Sequence, residues 1–151
     1  MSGTKWLQKQ EHFDWMQKCL ACWRACEEFI AWSIENKKYL NTIGGGRDAT
    51  EMCSQCIKFE AQRSLFFYQL CEVCAEICGK FSNDLEKLQN ESETISETVN
   101  ACKVFVEACR KMANQSGEPG NFADSLISNQ DGKSKTGLNP ALKNTKKTGN
   151  K

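Results

Sequence analysis

The chain has 151 residues, enough for one domain with a modest core, and a net charge of +1. That balance supplies no global field for nucleic acid or a membrane surface, and no run of about 18 apolar residues exists to span a bilayer. The departure from ordinary composition is ten cysteines beside a single histidine.

The first residues, Met1-Ser2-Gly3-Thr4-Lys5-Trp6-Leu7-Gln8, show neither the apolar stretch nor the small-residue cleavage site of a secretory leader. The expected compartment is therefore the cytoplasm, where thiols stay reduced. Residues 1–115 contain no proline, and their periodicity is helical. A first helix is expected from about Thr4 to Tyr39, with Gly44-Gly45-Gly46 ending it and turning the chain. Cys19, Cys22 and Cys26 follow one another in steps of three and four, so they share one face of that helix.

Asp48 or Thr50 can cap the next helix. From Arg47 to Cys78 there is neither Gly nor Pro, so the segment reads as one long helix or as two with a turn near Gln62–Ser64. Two give an antiparallel four-helix bundle, and one gives a three-helix bundle with a long middle helix. Cys53 and Cys56 are three apart, and Cys71, Cys74 and Cys78 repeat the spacing of the first triplet. Glu60 and Arg63 fall on the expected inner stripe, as a pair or as the mark of a helix end in water. A last helix is expected from near Ser92 or Ser96 through Met112, with Cys102 and Cys109 two turns apart. Gly117 and Pro119 terminate it.

Both prolines, half of the ten glycines and six lysines against three acids lie after residue 115. Residues 116–151 thus read as a flexible, disordered tail behind a helical domain of residues 1–115. The tail is a solubilising segment or a docking segment for a protein partner.

Every cysteine falls on an inward stripe shared with apolar residues such as Phe29, Phe67 and Phe105. One or two such cysteines would be small buried hydrophobes. Ten, with one spacing repeated, call for another reason. Cysteines on adjacent turns of one helix point nearly parallel, a poor geometry for a disulfide. Thiolates are soft ligands that select Cu(I), zinc or iron–sulfur clusters. Two thiolates on adjacent turns suit a near-linear Cu(I) site. Zinc usually wants four ligands in a tetrahedron, often from irregular backbone, and clusters normally use loop-borne cysteines. Cu(I) is the preferred ion, with zinc the alternative.

Four stretches, "CLACWRACEEF" (19–29), "MCSQCIKFE" (52–60), "LCEVCAEIC" (70–78) and "ACKVFVEACRKMA" (101–113), resemble in order the four helices of the copper-binding four-helix-bundle family that includes bacterial copper storage proteins. The resemblance implies Cu(I) storage or sequestration on Cys19, Cys22, Cys26, Cys53, Cys56, Cys71, Cys74, Cys78, Cys102 and Cys109. It also implies loading at one mouth of the bundle, for which His12, Met16, Met52 and Met112 are candidates. The chain departs from the family pattern at Trp15, Phe29, Phe81, Leu85 and Phe105, where cysteine is expected, and its Cys56–Cys71 segment is shorter. Aromatic filling implies a better-packed metal-free fold and fewer ions.

The leading expectation is a copper store, not an enzyme, that receives Cu(I) from small thiol carriers. The alternative is a helical docking module with residual zinc or iron–sulfur binding. An enzyme is disfavoured because the CxxC pairs lie inside helices, whereas a thioredoxin-like pair begins one. A homo-oligomer is expected chiefly for a three-helix subunit, whose seam needs closing.

Overall fold

In the computed structural model the backbone is described for residues 2–115 and the side chains from residue 9. The tail and its docking role lie outside the described residues. Four helices form: α1 (Ser2–Asn36), α2 (Ile43–Ala61), α3 (Phe67–Glu86) and α4 (Glu93–Gln115). Each packs on its neighbour in sequence, and α4 closes the ring against α1. The chain breaks between α2 and α3 at Gln62–Ser64, so the four-helix alternative is the one adopted. No described helix is long and apolar enough to cross a membrane.

The helix ends are set by local turn and capping geometry. At the end of α1, Lys37 takes a left-handed φ of 54°. Its N–H bonds Ile34 O at 3.3 Å and that of Lys38 bonds Ser33 O at 3.1 Å, the paired bonds of a Schellman turn. Arg63 does the same after α2, with φ of 54°, Arg63 N–H on Glu60 O at 3.0 Å and Ser64 N–H on Phe59 O at 3.0 Å. Arg63 is therefore the exposed mark of a helix end and not an inward partner of Glu60. Ser64 Oγ then accepts the Phe66 N–H at 3.1 Å as α3 begins. Ser92, in extended conformation, starts α4 by accepting the Thr94 N–H at 3.1 Å.

Gly44–Gly46 do not end α1. They form the first turn of α2, and Asp48 and Thr50 lie inside that helix, so neither is its cap. The chain has already reversed at Lys37 and Tyr39, both left-handed. What the glycines supply is closeness. A Cβ on Gly46 would stand 3.2 Å from both Phe81 Cζ and Ile30 Cγ1, and one on Gly45 would stand 3.1 Å from Phe81 Cδ1. The start of α2 therefore lies directly on the Phe81 ring.

The core is a column. Its middle holds the ten cysteines with Phe105, all fully buried. At one end, beside the α2–α3 turn, Trp15 and Phe67 meet edge to face at 4.9 Å. At the other end, Phe29 and Phe81 meet at 5.8 Å, with Leu85 and Ile95 buried nearby. Gly46→Ala should destabilise the metal-free bundle by about 1–3 kcal/mol through overpacking. Gly44, with nothing within 4 Å of its Cβ position, should gain about 0.4–1 kcal/mol on replacement by Ala. Thermal melts of the two variants check the opposite signs.

Candidate metal centre

Antiparallel packing sets the cysteine stripes level with one another. Cys19 Sγ reaches Cys53 O at 3.5 Å across α1 and α2, and Cys56 Sγ reaches Leu70 O at 3.9 Å across α2 and α3. Cys102 on α4 lies between two thiols of α1, with Sγ–Sγ distances of 3.5 Å to Cys22 and 3.6 Å to Cys26. Cys74 and Cys78 stand 3.9 Å apart on α3. Near the Trp15 end, Cys109 faces Cys71 and Cys74. All ten thiols are free, and each is 0% exposed.

Two triads of sulfurs come within 4.8 Å of one another: Cys22, Cys26 and Cys102, and Cys22, Cys53 and Cys78. Cys22 belongs to both. With a metal–thiolate bond of about 2.3 Å, two sulfurs stand about 4.6 Å apart in a linear site, about 4.0 Å in a trigonal one and about 3.8 Å in a tetrahedron. Pairs and triads are therefore preformed to within small adjustments. Among the described residues no four sulfurs gather at this spacing, so a tetrahedral zinc site has no ready frame.

Each S–H in the cluster favours the thiolate it points at and keeps its own proton. Cys22 is pushed far up because its hydrogen faces Cys102, then Cys26, Cys53 and Cys78, with burial adding to the effect. Cys102, receiving from Cys22 and Cys26, is held down to about 5 against burial. Burial pushes Cys109 up, but Cys71, Cys74 and the Trp15 indole N–H outweigh it and hold the thiol at about 5. Cys71 and Cys74 hold Cys56 at about 6, and Cys19 and Cys22 pull Cys53 down. Hydrogen bonding to Cys53 raises Cys19, and hydrogen bonding to Cys102 raises Cys26. Cys71 and Cys74 rise chiefly through Cys109. Cys78 is drawn down by Cys22 but ends raised through Cys53 and burial. No lysine, arginine or histidine is buried among the described residues, so no fixed cation balances a core thiolate.

The proposed loading residues do not form one group. His12 lies half-buried at the α2–α3 turn, over Phe67 at 5.4 Å. Its Nδ1 stands 3.7 Å from Glu60 Oε1, and its Nε2 is 3.4 Å from Tyr68 Oη. Met112 is buried at the same end, beside Trp15. Met16 and Met52 are half-buried on the outside of the cysteine cluster, Met52 next to Cys53 at mid-height. The reading by residue type missed two contacts. Trp15, expected only to fill space, donates its indole N–H to Cys109 Sγ at 3.4 Å. Glu60 faces His12 across the turn. The indole N–H is a donor that needs a partner when buried, and that was the available signal.

A four-helix ring around a column of free, matched thiols defines a soft-metal-binding bundle. Residues 8–114 match the family model "Csp: Copper storage protein", and the chain belongs to that copper storage protein family. It also shares its fold with a solved structure described as Cu(I)-bound copper storage protein BsCsp3, at a TM-score of 0.64 and 23% identity, over 68% of this chain and 98% of that one. No curated protein matches the sequence.

The thiol network fixes a sign for pH dependence. The raised thiols stabilise the fold fully below their ordinary pKa of 9.0, and that contribution is lost as pH rises beyond it. The lowered thiols contribute above 9.0 and lose it as pH falls toward their values of about 5 to 6. Stability of the reduced, metal-free bundle should therefore peak near the ordinary thiol pKa and fall on its alkaline side. Anaerobic urea denaturation across that range reads the effect as a shift in midpoint.

Proposed function

We propose that the ten buried thiols of this copper storage family member are the ligands of stored Cu(I), arranged as pairs and triads along the column. The observation that carries this reading is the sharing of Cys22 between two preformed triads. A shared thiolate bridges neighbouring ions, which turns separate sites into one chain of sites.

The electrostatics of the core support filling with several ions. A Cu(I) held by two thiolates leaves one net negative charge, and three thiolates leave two. Such charge is costly in a low-dielectric interior without a paired cation. Each further Cu(I) bridging existing thiolates cancels one charge. Filling is therefore favoured until the ions approach the thiolates in number. Binding displaces thiol protons, so uptake releases acid. Sulfur on all sides keeps water and oxygen from the ion and suppresses its redox cycling.

Small thiol carriers are the fitting donors, since exchange of one thiolate for another on Cu(I) requires no redox step. A cytoplasmic setting suits thiols that must remain reduced. The role is storage, with no catalytic step assigned to any residue.

Anaerobic titration with Cu(I) against a chelator of known affinity should show several ions bound per chain and protons released. Binding of no more than one ion per chain would sink the storage reading. Cys22→Ser, which breaks both triads, should lower capacity more than Cys26→Ser, which breaks one. Equal losses would count against the shared ligand.

A further inference from the structure

The two ends of the sulfur column are closed differently. At the Phe29 end the closure is thick. Phe29, Phe81, Leu85 and Ile95 are all buried, and the α2 backbone lies on Phe81 through Gly45 and Gly46. The polar side chains buried with that plug are hydroxyls, Ser33 and Ser82, and among the described residues no charged side chain or imidazole is buried there. At the other end Trp15 and Phe67 close the column, and on the α1–α4 side Trp15 lies between an outside dent and the sulfurs. Trp15, 1% exposed, borders a dent of about 50 Å³ between α1 and α4, lined also by Glu11, Asp14, Lys18, Lys111 and Met112. Its other side meets the core. The ring lies edge-on to Phe67 at 4.9 Å and 5.8 Å from Phe105, and its Nε1–H bonds Cys109 Sγ at 3.4 Å.

We propose that Trp15 is the gate of the store: its ring blocks passage from the α1–α4 dent to the sulfur column, and its N–H on Cys109 is the latch. This rests on the copper-storage reading. Cu(I) reaches the dent bound to a small thiol carrier, and the Met112 thioether at its inner wall is a soft group along the way. For transfer, the indole swings aside and frees the Cys109 sulfur lone pair. A Cu–Sγ bond forms as the copper–carrier sulfur bond breaks. Cys109 attacks as the thiolate its hydrogen bonds favour, the carrier leaves as a thiolate that takes a proton from water, and copper stays Cu(I) throughout. Cys109 faces Cys71 and Cys74, which pass the ion on to the thiols deeper in the bundle. Trp15 ligates nothing in this scheme. It is a positioning residue acting through Cys109.

The test has two readouts on the full chain, with helical circular dichroism confirming the fold of each variant. The first is brief alkylation of the reduced, metal-free protein, with labelled thiols mapped by mass spectrometry. Trp15→Phe keeps a ring and removes the latch. It should speed Cys109 alkylation by about fivefold, the rate equivalent of one net hydrogen bond. Trp15→Ala should speed it by at least about tenfold, since the ring that opposes local opening is gone. Phe29→Leu, at the far end, should leave Cys109 alkylation unchanged. The second readout is stopped-flow uptake of Cu(I) from its glutathione complex. Both Trp15 variants should load faster to the same final capacity, and Phe29→Leu should load at the parent rate.

Unchanged Cys109 alkylation in Trp15→Phe overturns the gate even if Trp15→Ala fails to fold. Faster loading in Phe29→Leu than in Trp15→Phe overturns it by placing the route at the other end. A chain that takes up no Cu(I) refutes the storage reading by itself, while the alkylation order still decides whether Trp15 closes the column.

Discussion

The structure depends on one constraint: ten thiols share a buried core in which, among the described residues, no fixed cation stands. In the metal-free state the sulfurs resolve this by directing hydrogens at one another. Some become donors that hold their protons firmly, such as Cys22 and Cys74, and others become acceptors, such as Cys102 and Cys109. A core built this way holds its acceptor sulfurs by hydrogen bonds from their neighbours and is prepared for a cation that takes the place of those hydrogens. Cu(I) meets that requirement because it accepts the two- and three-sulfur groupings that helix faces present. The same charge argument makes later ions easier to accept than isolated sites would allow.

The aromatic residues set the limits of that core. Phe29 and Phe81 close one end, and Trp15 and Phe67 close the other, while Phe105 occupies volume within the sulfur region. Trp15, Phe29, Phe81 and Phe105 stand where the resemblance to the family led cysteine to be expected. The consequence is a metal-free fold that packs as an ordinary hydrophobic core, since ring burial and edge-to-face contact act whether or not metal is bound. The thiols lie in the stretch between the rings. The polar group of His12, Glu60 and Tyr68 lies beside the Phe67 ring at the α2–α3 turn, apart from the thiols.

Much of this was legible in the residues themselves. Steps of three and four put Cys19, Cys22 and Cys26 on one helix face as a matter of helical geometry, and all ten cysteines do face inward. The turn at Gln62–Ser64 was a named alternative, and Ser92 carried a recognisable cap. The end of α1 was not legible. It is made by Lys37 and Tyr39 in left-handed conformation, a state usually left to glycine because other residues pay about 1–2 kcal/mol for it. The glycine run looked like the turn but serves as a close-packing surface for Phe81 and Ile30. Glycine signals permission for a conformation or a contact, and the chain alone does not say which is used.

By itself the sequence determined that the helices would each carry a stripe of thiols, that those stripes would be buried, and that their ligand chemistry would be soft, while it left three or four helices open. These follow from periodicity and residue type, which act within a few residues along the chain. The tertiary structure alone decided the heights at which the stripes meet. That register puts Cys102 between Cys22 and Cys26, gives Cys22 to two triads, and places the Trp15 indole on Cys109. The Cys102 and Trp15 contacts among them join residues 76 to 94 positions apart. Their distances are set by how whole helices slide and rotate to pack rings and sulfurs together, a balance summed over the entire core and written in no single segment.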